Sequence, residues 1–200
     1  MNRNAMTPLA LGLLMLESDP VYERIAVGDR EGLVAAALRD GADLADTVRL
    51  RWGDAPDVIA AQLGIPVVDS DDDAGFGSTV VFAEYQARQT RIVLYRGAIA
   101  GLQTAVDRDA RLSLPCPARS VLLAHELYHH FDCTGAQPPI ARRHRVTLLT
   151  LGRWRWTSGI ASLAEIAAGA FAQTLLRLPV HPKHLDLLMS TPTEAVATTS

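Results

Sequence analysis

The segment 118–131 contains a His-Glu-x-x-His pattern, and this pattern constrains the fold more than any other feature of the chain. The apolar residues of the segment favour a helix, and Pro117 stands at the position where helices often begin. Residues four apart on a helix are about 40° apart around its axis and about 6 Å apart along it. The imidazoles of His125 and His129 can therefore reach one metal ion from the same face.

The residue between the two histidines gives the pattern its chemistry. Glu126 follows His125 directly, so its carboxylate can reach a water molecule at the metal without binding the metal, and act as a general base. Two imidazoles suit Zn²⁺, while Mn²⁺ and Fe²⁺ remain open. We predict His125 and His129 as metal ligands and Glu126 as the catalytic residue. His130 points about 100° away from His129 and is expected to cap the helix or support a ligand.

A site of this kind needs a third protein ligand. The acidic residues that follow the pattern are Asp132, Glu165, Asp186 and Glu194. Glu165 lies in the next long helix-forming segment, which can pack antiparallel beside the first. Asp132 ends the same helix as the histidines and has poor reach. We predict Glu165 as the third metal ligand, with His144 as the alternative.

The remaining pattern predicts an α+β fold that begins with helices. Residues 7–50 favour two or three helices, one of which is predicted to end at Gly41. Short apolar segments with strand character follow, and they predict a small antiparallel sheet from 65–68, 78–84 and 91–96. A second helix of small residues is predicted from residue 158 to about 178. We expect three parts: an N-terminal helical extension over 1–53, a domain over 54–189 and a disordered tail over 190–200.

Two segments resemble the ImmA/IrrE-type zinc metallopeptidases. The first is 123–130, Leu-Ala-His-Glu-Leu-Tyr-His-His, and the second is 165–179, where a Glu is followed by Ala, Phe-Ala, Leu-Leu and Pro. The upstream order of helix, hairpin and strand also fits, so the resemblance covers residues 54–189. It implies a zincin-like fold and a zinc endopeptidase with Glu165 on the second ligand helix. It also implies regulatory proteolysis, with a helix-turn-helix repressor as the protein substrate.

Composition favours a cytoplasmic protein without a membrane or nucleic-acid partner. The chain is 48% apolar with a formal net charge of −3, so it is neither disordered nor basic enough for a bulk nucleic-acid binder. Cys116 and Cys133 flank the predicted helix and are too far apart for a disulfide, which suits a reducing compartment. The apolar run 5–16 is too short to span a bilayer and predicts a packed helix.

Two functions remain open on the sequence. The first is a metallopeptidase in which an edge strand within 78–84 holds an extended substrate. The candidates for stabilising the oxyanion are, without a ranking, His144, Tyr128 and Tyr95. The second is a zinc-binding sensing or interaction module without turnover, whose binding surface is the Arg- and Trp-rich segment 142–156. A lid that packs Trp154 and Trp156 over the core is the favoured interpretation of that segment. A weaker interpretation is that the segment contacts DNA through phosphate groups and stacking.

Overall fold

The structure is a computed structural model that describes residues 6–72, 75–76, 79–110 and 112–185. It is a mixed α+β protein with small sheets, in agreement with the predicted class. Its helices are Pro8–Glu17 (α1), Val27–Trp52 (α2), Pro56–Gln62 (α3), Arg96–Arg108 (α4), Ala118–Thr134 (α5), Ile140–Arg143 (α6) and Ser162–Leu176 (α7). Its strands are Val67–Ser70 (β1), Gly75–Phe76 (β2), Thr79–Val80 (β3), Ala83–Gln86 (β4), Arg91–Tyr95 (β5), Arg145–Leu151 (β6) and Trp154–Gly159 (β7). The predicted tail 190–200, Asp186 and Glu194 lie outside the described residues.

The largest sheet has the order β1-β5-β4 and is mixed, so the prediction of an antiparallel sheet was wrong for one of its two pairs. Strand β4 is antiparallel to β5, whereas β1 is parallel to β5. The chain between β1 and β5 is long enough to cross over and return in the same direction, which a tight hairpin does not allow. The predicted strand 78–84 is also divided, because β3 pairs with β2 and β4 pairs with β5.

Helix α2 runs without a break through Gly41, where the sequence predicts an end. A Cβ atom at Gly41 would clash with the backbone carbonyl of Ala167 in α7. The glycine therefore permits close approach of two helices and does not stop the first one. Val34 and Ala45 of α2 are buried in the same apolar cluster as Phe171 of α7.

Substitutions at two glycines of α2 test this packing. We expect Gly41→Ala to lower the free energy of unfolding by about 1–3 kcal/mol, because α2 and α7 must separate to admit the methyl group. Gly32→Ala is the matched control, since a Cβ atom there meets nothing within 4 Å. It should raise the free energy of unfolding by about 0.5–1 kcal/mol, because alanine loses less backbone entropy in a helix. Chemical denaturation measures both changes, and equal destabilisation by the two variants would contradict the packing role.

The N-terminal helices contribute directly to the helix that carries Glu165. Asp19, which follows α1, accepts a hydrogen bond at 2.8 Å from the backbone N–H of Ser162, at the start of α7. Its other carboxylate oxygen accepts a hydrogen bond at 3.0 Å from the backbone N–H of Val21. Leu16 of α1 is buried in the main core. Residues of the segment 1–53 thus fix the start of α7, and the boundary at residue 53 stays a prediction about chain organisation.

The Arg- and Trp-rich segment forms α6 and the hairpin of β6 and β7, which the sequence analysis did not predict. Gly152 makes its two-residue turn with a φ of 59°, a conformation that glycine adopts without strain. Trp154 and Trp156 are 74% and 73% exposed. The prediction that they pack over the core as a lid was therefore wrong, because the strand register turns both indoles towards solvent.

Two further features concern the cysteines and the apolar character of the helices. Cys116 and Cys133 are both free thiols, as their spacing predicts. Among the helices within the described ranges, none combines the length and the apolar character that crossing a bilayer requires. A cytoplasmic location stays a prediction from the sequence.

Candidate metal centre

Helix α5 presents His125 and His129 on one face. Their Nε2 atoms are 3.2 Å apart, and the two rings meet edge to face with their centroids 5.0 Å apart. The opposite side of the helix is fixed by buried side chains, among them Leu123, Leu127 and Tyr128. The packing of α5 therefore turns both imidazoles towards the same point in space.

Glu165 reaches that point from the first turn of α7, which packs beside α5. Its Oε2 atom is 3.1 Å from Nε2 of His125, and its Oε1 atom is 3.4 Å from Nε2 of His129. Ligand atoms that surround zinc tetrahedrally at 2.0–2.1 Å are about 3.3 Å from one another. The two nitrogens and the carboxylate therefore have the spacing of a three-ligand set, and the group could hold a metal ion.

The protonation states of this group suit metal binding. Burial, with a smaller contribution from His125, lowers the pKa of His129 to about 4, so its ring is neutral at neutral pH. Burial acts to raise the pKa of Glu165, but the hydrogen bond with His125 and the interactions with both imidazoles bring it down to about 2. A neutral imidazole and an ionised carboxylate are the forms that bind a metal.

The alternatives for the third ligand have other surroundings. Asp132 accepts a hydrogen bond at 2.8 Å from the backbone N–H of Ile140 and lies 3.9 Å from the guanidinium of Arg143. It therefore joins α5 to α6. His144 lines a different cleft, beside Arg24 and Arg145. Neither residue belongs to the group that could hold a metal ion.

Glu126 lies beside this group in a different environment. Its side chain is buried, and the burial raises the pKa of its carboxyl, while His125 and the backbone N–H of Tyr85 act to lower it. Tyr85 belongs to β4, which packs across α5. The hydroxyl of Tyr85 also lies 3.1 Å from Nδ1 of His130, so His130 joins α5 to the sheet. Glu126 is thus a buried carboxyl held where the sheet meets the helix.

A cleft of about 280 Å³ opens at the centre. Its polar side is formed by His125, Glu126 and Glu165, together with His181 and Lys183. Its other walls are mainly apolar side chains, which include Val81, Phe82, Val121, Leu122 and Leu185. Two of the candidate metal ligands, His125 and Glu165, therefore face the same mainly apolar space as the buried carboxyl.

Comparison with known proteins adds no family to this geometry. A scan against models of protein families, a search of curated proteins and a search of solved structures each found no match. The chemistry of the centre therefore rests on its own residues.

Sequence reasoning missed a network that supports α5 from behind. The hydroxyl of Tyr128 donates a hydrogen bond at 2.9 Å to Asp40 of α2, and Arg143 of α6 donates to the other oxygen of that carboxylate at 2.7 Å. Burial raises the pKa of Tyr128. Its hydroxyl therefore faces α2 and is not available to stabilise an oxyanion in the cleft. Tyr95, a second candidate for that role, donates its hydroxyl to Glu84 at 2.9 Å.

His181 is a further residue of the cleft that the sequence did not suggest. It is buried, and its Nδ1 atom accepts a hydrogen bond at 3.2 Å from the backbone N–H of Lys183. A Cβ atom at Gly169, one turn after Glu165, would clash with its ring. Burial, reinforced by His125, lowers the pKa of His181 to about 4, while the carbonyl of Ile166 acts in the opposite direction. The neutral ring thus fills the wall behind Glu165.

Proposed function

We propose that this chain is a zinc-dependent endopeptidase with a zincin-like fold, of the kind that the resemblance to ImmA/IrrE-type metallopeptidases implies. The observation that carries the proposal is the position of Glu126, a buried carboxyl that lines the same cleft as His125 and Glu165, two of the three residues that could hold a metal ion. Three protein ligands leave a position free at zinc, which is the arrangement of catalytic zinc sites rather than structural ones.

The residues of the chain divide the chemistry between them. When bound, zinc supplies Lewis-acid polarisation of a carbonyl and lowers the pKa of water. Glu126 takes the proton from the water molecule that attacks the peptide carbonyl and then delivers it to the leaving nitrogen, as the peptide C–N bond breaks. Because burial raises the pKa of Glu126, its carboxylate is a stronger base than an exposed one.

Strand β4 is suited to hold an extended substrate. It forms one edge of the sheet β1-β5-β4. The backbone carbonyl of Phe82 accepts a hydrogen bond from Tyr95 of β5 at 3.0 Å, so the main-chain groups of the next residue, Ala83, point to the open side. Ala83 also lines the cleft. A peptide added to this edge would run past Glu126, and the apolar walls would receive an apolar side chain next to the scissile bond.

The direct test is cleavage of a mixture of internally quenched peptides by the zinc-loaded protein. We expect cleavage next to residues such as Leu or Phe, since the walls of the cleft are mainly apolar and Lys183 is the charged side chain that lines it beside the centre. Mass spectrometry of the products locates the cleaved bonds. A chelator should stop the reaction, and zinc, Mn²⁺ or Fe²⁺ added back singly shows which metal restores it.

A specific outcome would contradict the proposal. If the protein binds zinc with one equivalent per chain and cleaves none of the peptides, nor a helix-turn-helix repressor expressed with it, the centre is not that of an endopeptidase. Cleavage without preference for apolar residues would retain the activity but contradict the assignment of the cleft walls.

A further inference from the structure

The hairpin of β6 and β7 has two faces of opposite character. Residues paired across antiparallel strands share a face, and alternate residues along a strand lie on opposite faces. Leu149 pairs with Trp156, and Leu151 pairs with Trp154. One face of the hairpin is therefore made of two leucines and two tryptophans, and we call these four residues the apolar face.

The opposite face is polar and basic. Thr150 pairs with Arg155, and Thr147 pairs with Thr157. Arg145 lies on the same side, where its Nε atom donates a hydrogen bond to the hydroxyl of Thr157 at 2.9 Å. Arg153 lies in the turn. The charged side chains and the apolar side chains thus lie on opposite faces of the two-stranded hairpin.

The apolar face is open to solvent. Leu149 and Leu151 are 55% and 73% exposed, and the two indoles are exposed to a similar extent as Leu151. The base of the hairpin is anchored, since Val146 packs against the core and Ile160 is buried. Two indoles and two leucines present on the order of 500 Å² of apolar surface, a patch large enough to mark an interaction site.

The charged residues of the hairpin itself all have one sign. Five arginines and no acidic residue occur between residues 133 and 164, in a chain whose formal net charge is −3. Three of these arginines, Arg145, Arg153 and Arg155, belong to the hairpin and its turn, whereas Arg143 of α6 is paired with Asp40. An anionic partner is favoured by this distribution.

We propose that the hairpin docks the protein on an anionic lipid bilayer, with the apolar face in the interface and the arginines at the phosphate groups. A bilayer surface has hydrocarbon below its layer of phosphate groups. The hairpin matches this arrangement, because its apolar side chains lie on one face and its arginines on the other. Tryptophan favours this boundary, and arginine side chains reach headgroups while their stems remain in apolar surroundings. The proposal replaces the expectation that the chain has no membrane partner, and it does not depend on the metal centre being catalytic.

Other occupants fit the two faces less well. Nucleic acid would contact the arginines and leave the indoles in water. An acidic protein that contacts the apolar face would also need carboxylates at the opposite face of the hairpin, where the arginines lie. A second copy of the chain could cover the apolar face, but it would bring two hairpins of like charge together.

Vesicle binding tests the proposal directly. The zinc-free full chain is mixed with vesicles of phosphatidylcholine alone or of phosphatidylcholine with phosphatidylglycerol, and the bound fraction is measured by sedimentation. We expect binding to the anionic vesicles only, with a blue shift of tryptophan emission. Trp154→Ser combined with Trp156→Ser should weaken binding on the order of 100-fold. Arg153→Gln and Arg155→Gln should each weaken it about fivefold, and added salt should act in the same direction.

Matched variants elsewhere on the surface serve as controls. Leu50→Ser removes a side chain of α2 that is 89% exposed, and Arg88→Gln removes an exposed charge from the turn between β4 and β5. Both should bind vesicles as the wild type does. Circular dichroism checks that every variant keeps the fold.

Three results would overturn the proposal. The first is no binding of the wild-type chain to anionic vesicles. The second is equal loss of binding in the control variants. The third is a dimer in sedimentation equilibrium that dissociates in the Trp154→Ser, Trp156→Ser variant, which would assign the apolar face to a second copy of the chain.

Discussion

Replacing Glu126 by glutamine should reduce the turnover of any peptide that the wild-type protein cleaves by about 10²–10⁴-fold, the usual contribution of a general base. Glutamine keeps the shape of the side chain and can still accept a hydrogen bond, but it does not take a proton. Zinc content should stay at the wild-type value, because Glu126 lies outside the group of candidate ligands. Initial rates and zinc content are measured on the same preparations.

A second carboxylate provides the control for this experiment. Glu84 lies in β4, close enough to influence the pKa of Glu126, and accepts the hydrogen bond from Tyr95. Glu84→Gln should retain most of the turnover, because Glu84 does not line the cleft. Similar losses of turnover in the two variants would mean that turnover depends on the negative charge of the region, and that Glu126 is not a specific general base.

The same pair of variants separates an enzyme from a binding module. If Glu126→Gln and the wild type act on a partner equally and neither cleaves it, the catalytic role of Glu126 fails. The centre would then be a zinc-binding sensing or interaction module. If only the glutamine variant is inactive and it still binds the partner, a stable complex with the uncleaved substrate should accumulate.

The spacing of a few residues predicted the centre because helix geometry is local. A repeat of four residues on a helix places His125 and His129 together, whatever surrounds them. Glu165 could be predicted because few acidic residues follow the histidines and one of them lies in a helix. The structure brings these three side chains within 3.4 Å of one another.

Features that depend on contacts distant in sequence were not predictable in this way. A glycine such as Gly41 is compatible both with the end of a helix and with a close helix contact, and only the position of α7 decides between them. The indoles of the hairpin favoured a core position by their size, yet their register places them in solvent. The link from Tyr128 to Asp40 joins residues 88 positions apart, and nothing local marks it.

Removing the carboxylate of Glu165 should weaken zinc binding by more than about 100-fold, which exceeds the 10–100-fold typical of residues that only support a ligand. The reason is geometric, since Glu165 supplies one corner of the three-ligand set and its carboxylate contacts both imidazoles. His129→Ala should have an effect of similar size. Competition with a chromophoric chelator measures the zinc affinity of each variant.

His144→Ala is the control for this prediction, since His144 was the alternative ligand on the sequence and lies in another cleft. It should change zinc affinity by less than about threefold, within the range of a distant substitution. Thermal unfolding of the metal-free proteins shows whether Glu165→Ala keeps the fold, as we expect for a side chain that is 53% exposed. If His144→Ala weakens zinc binding more than Glu165→Ala does, the third ligand comes from the segment after α6, and the pairing of α5 with α7 does not form the centre.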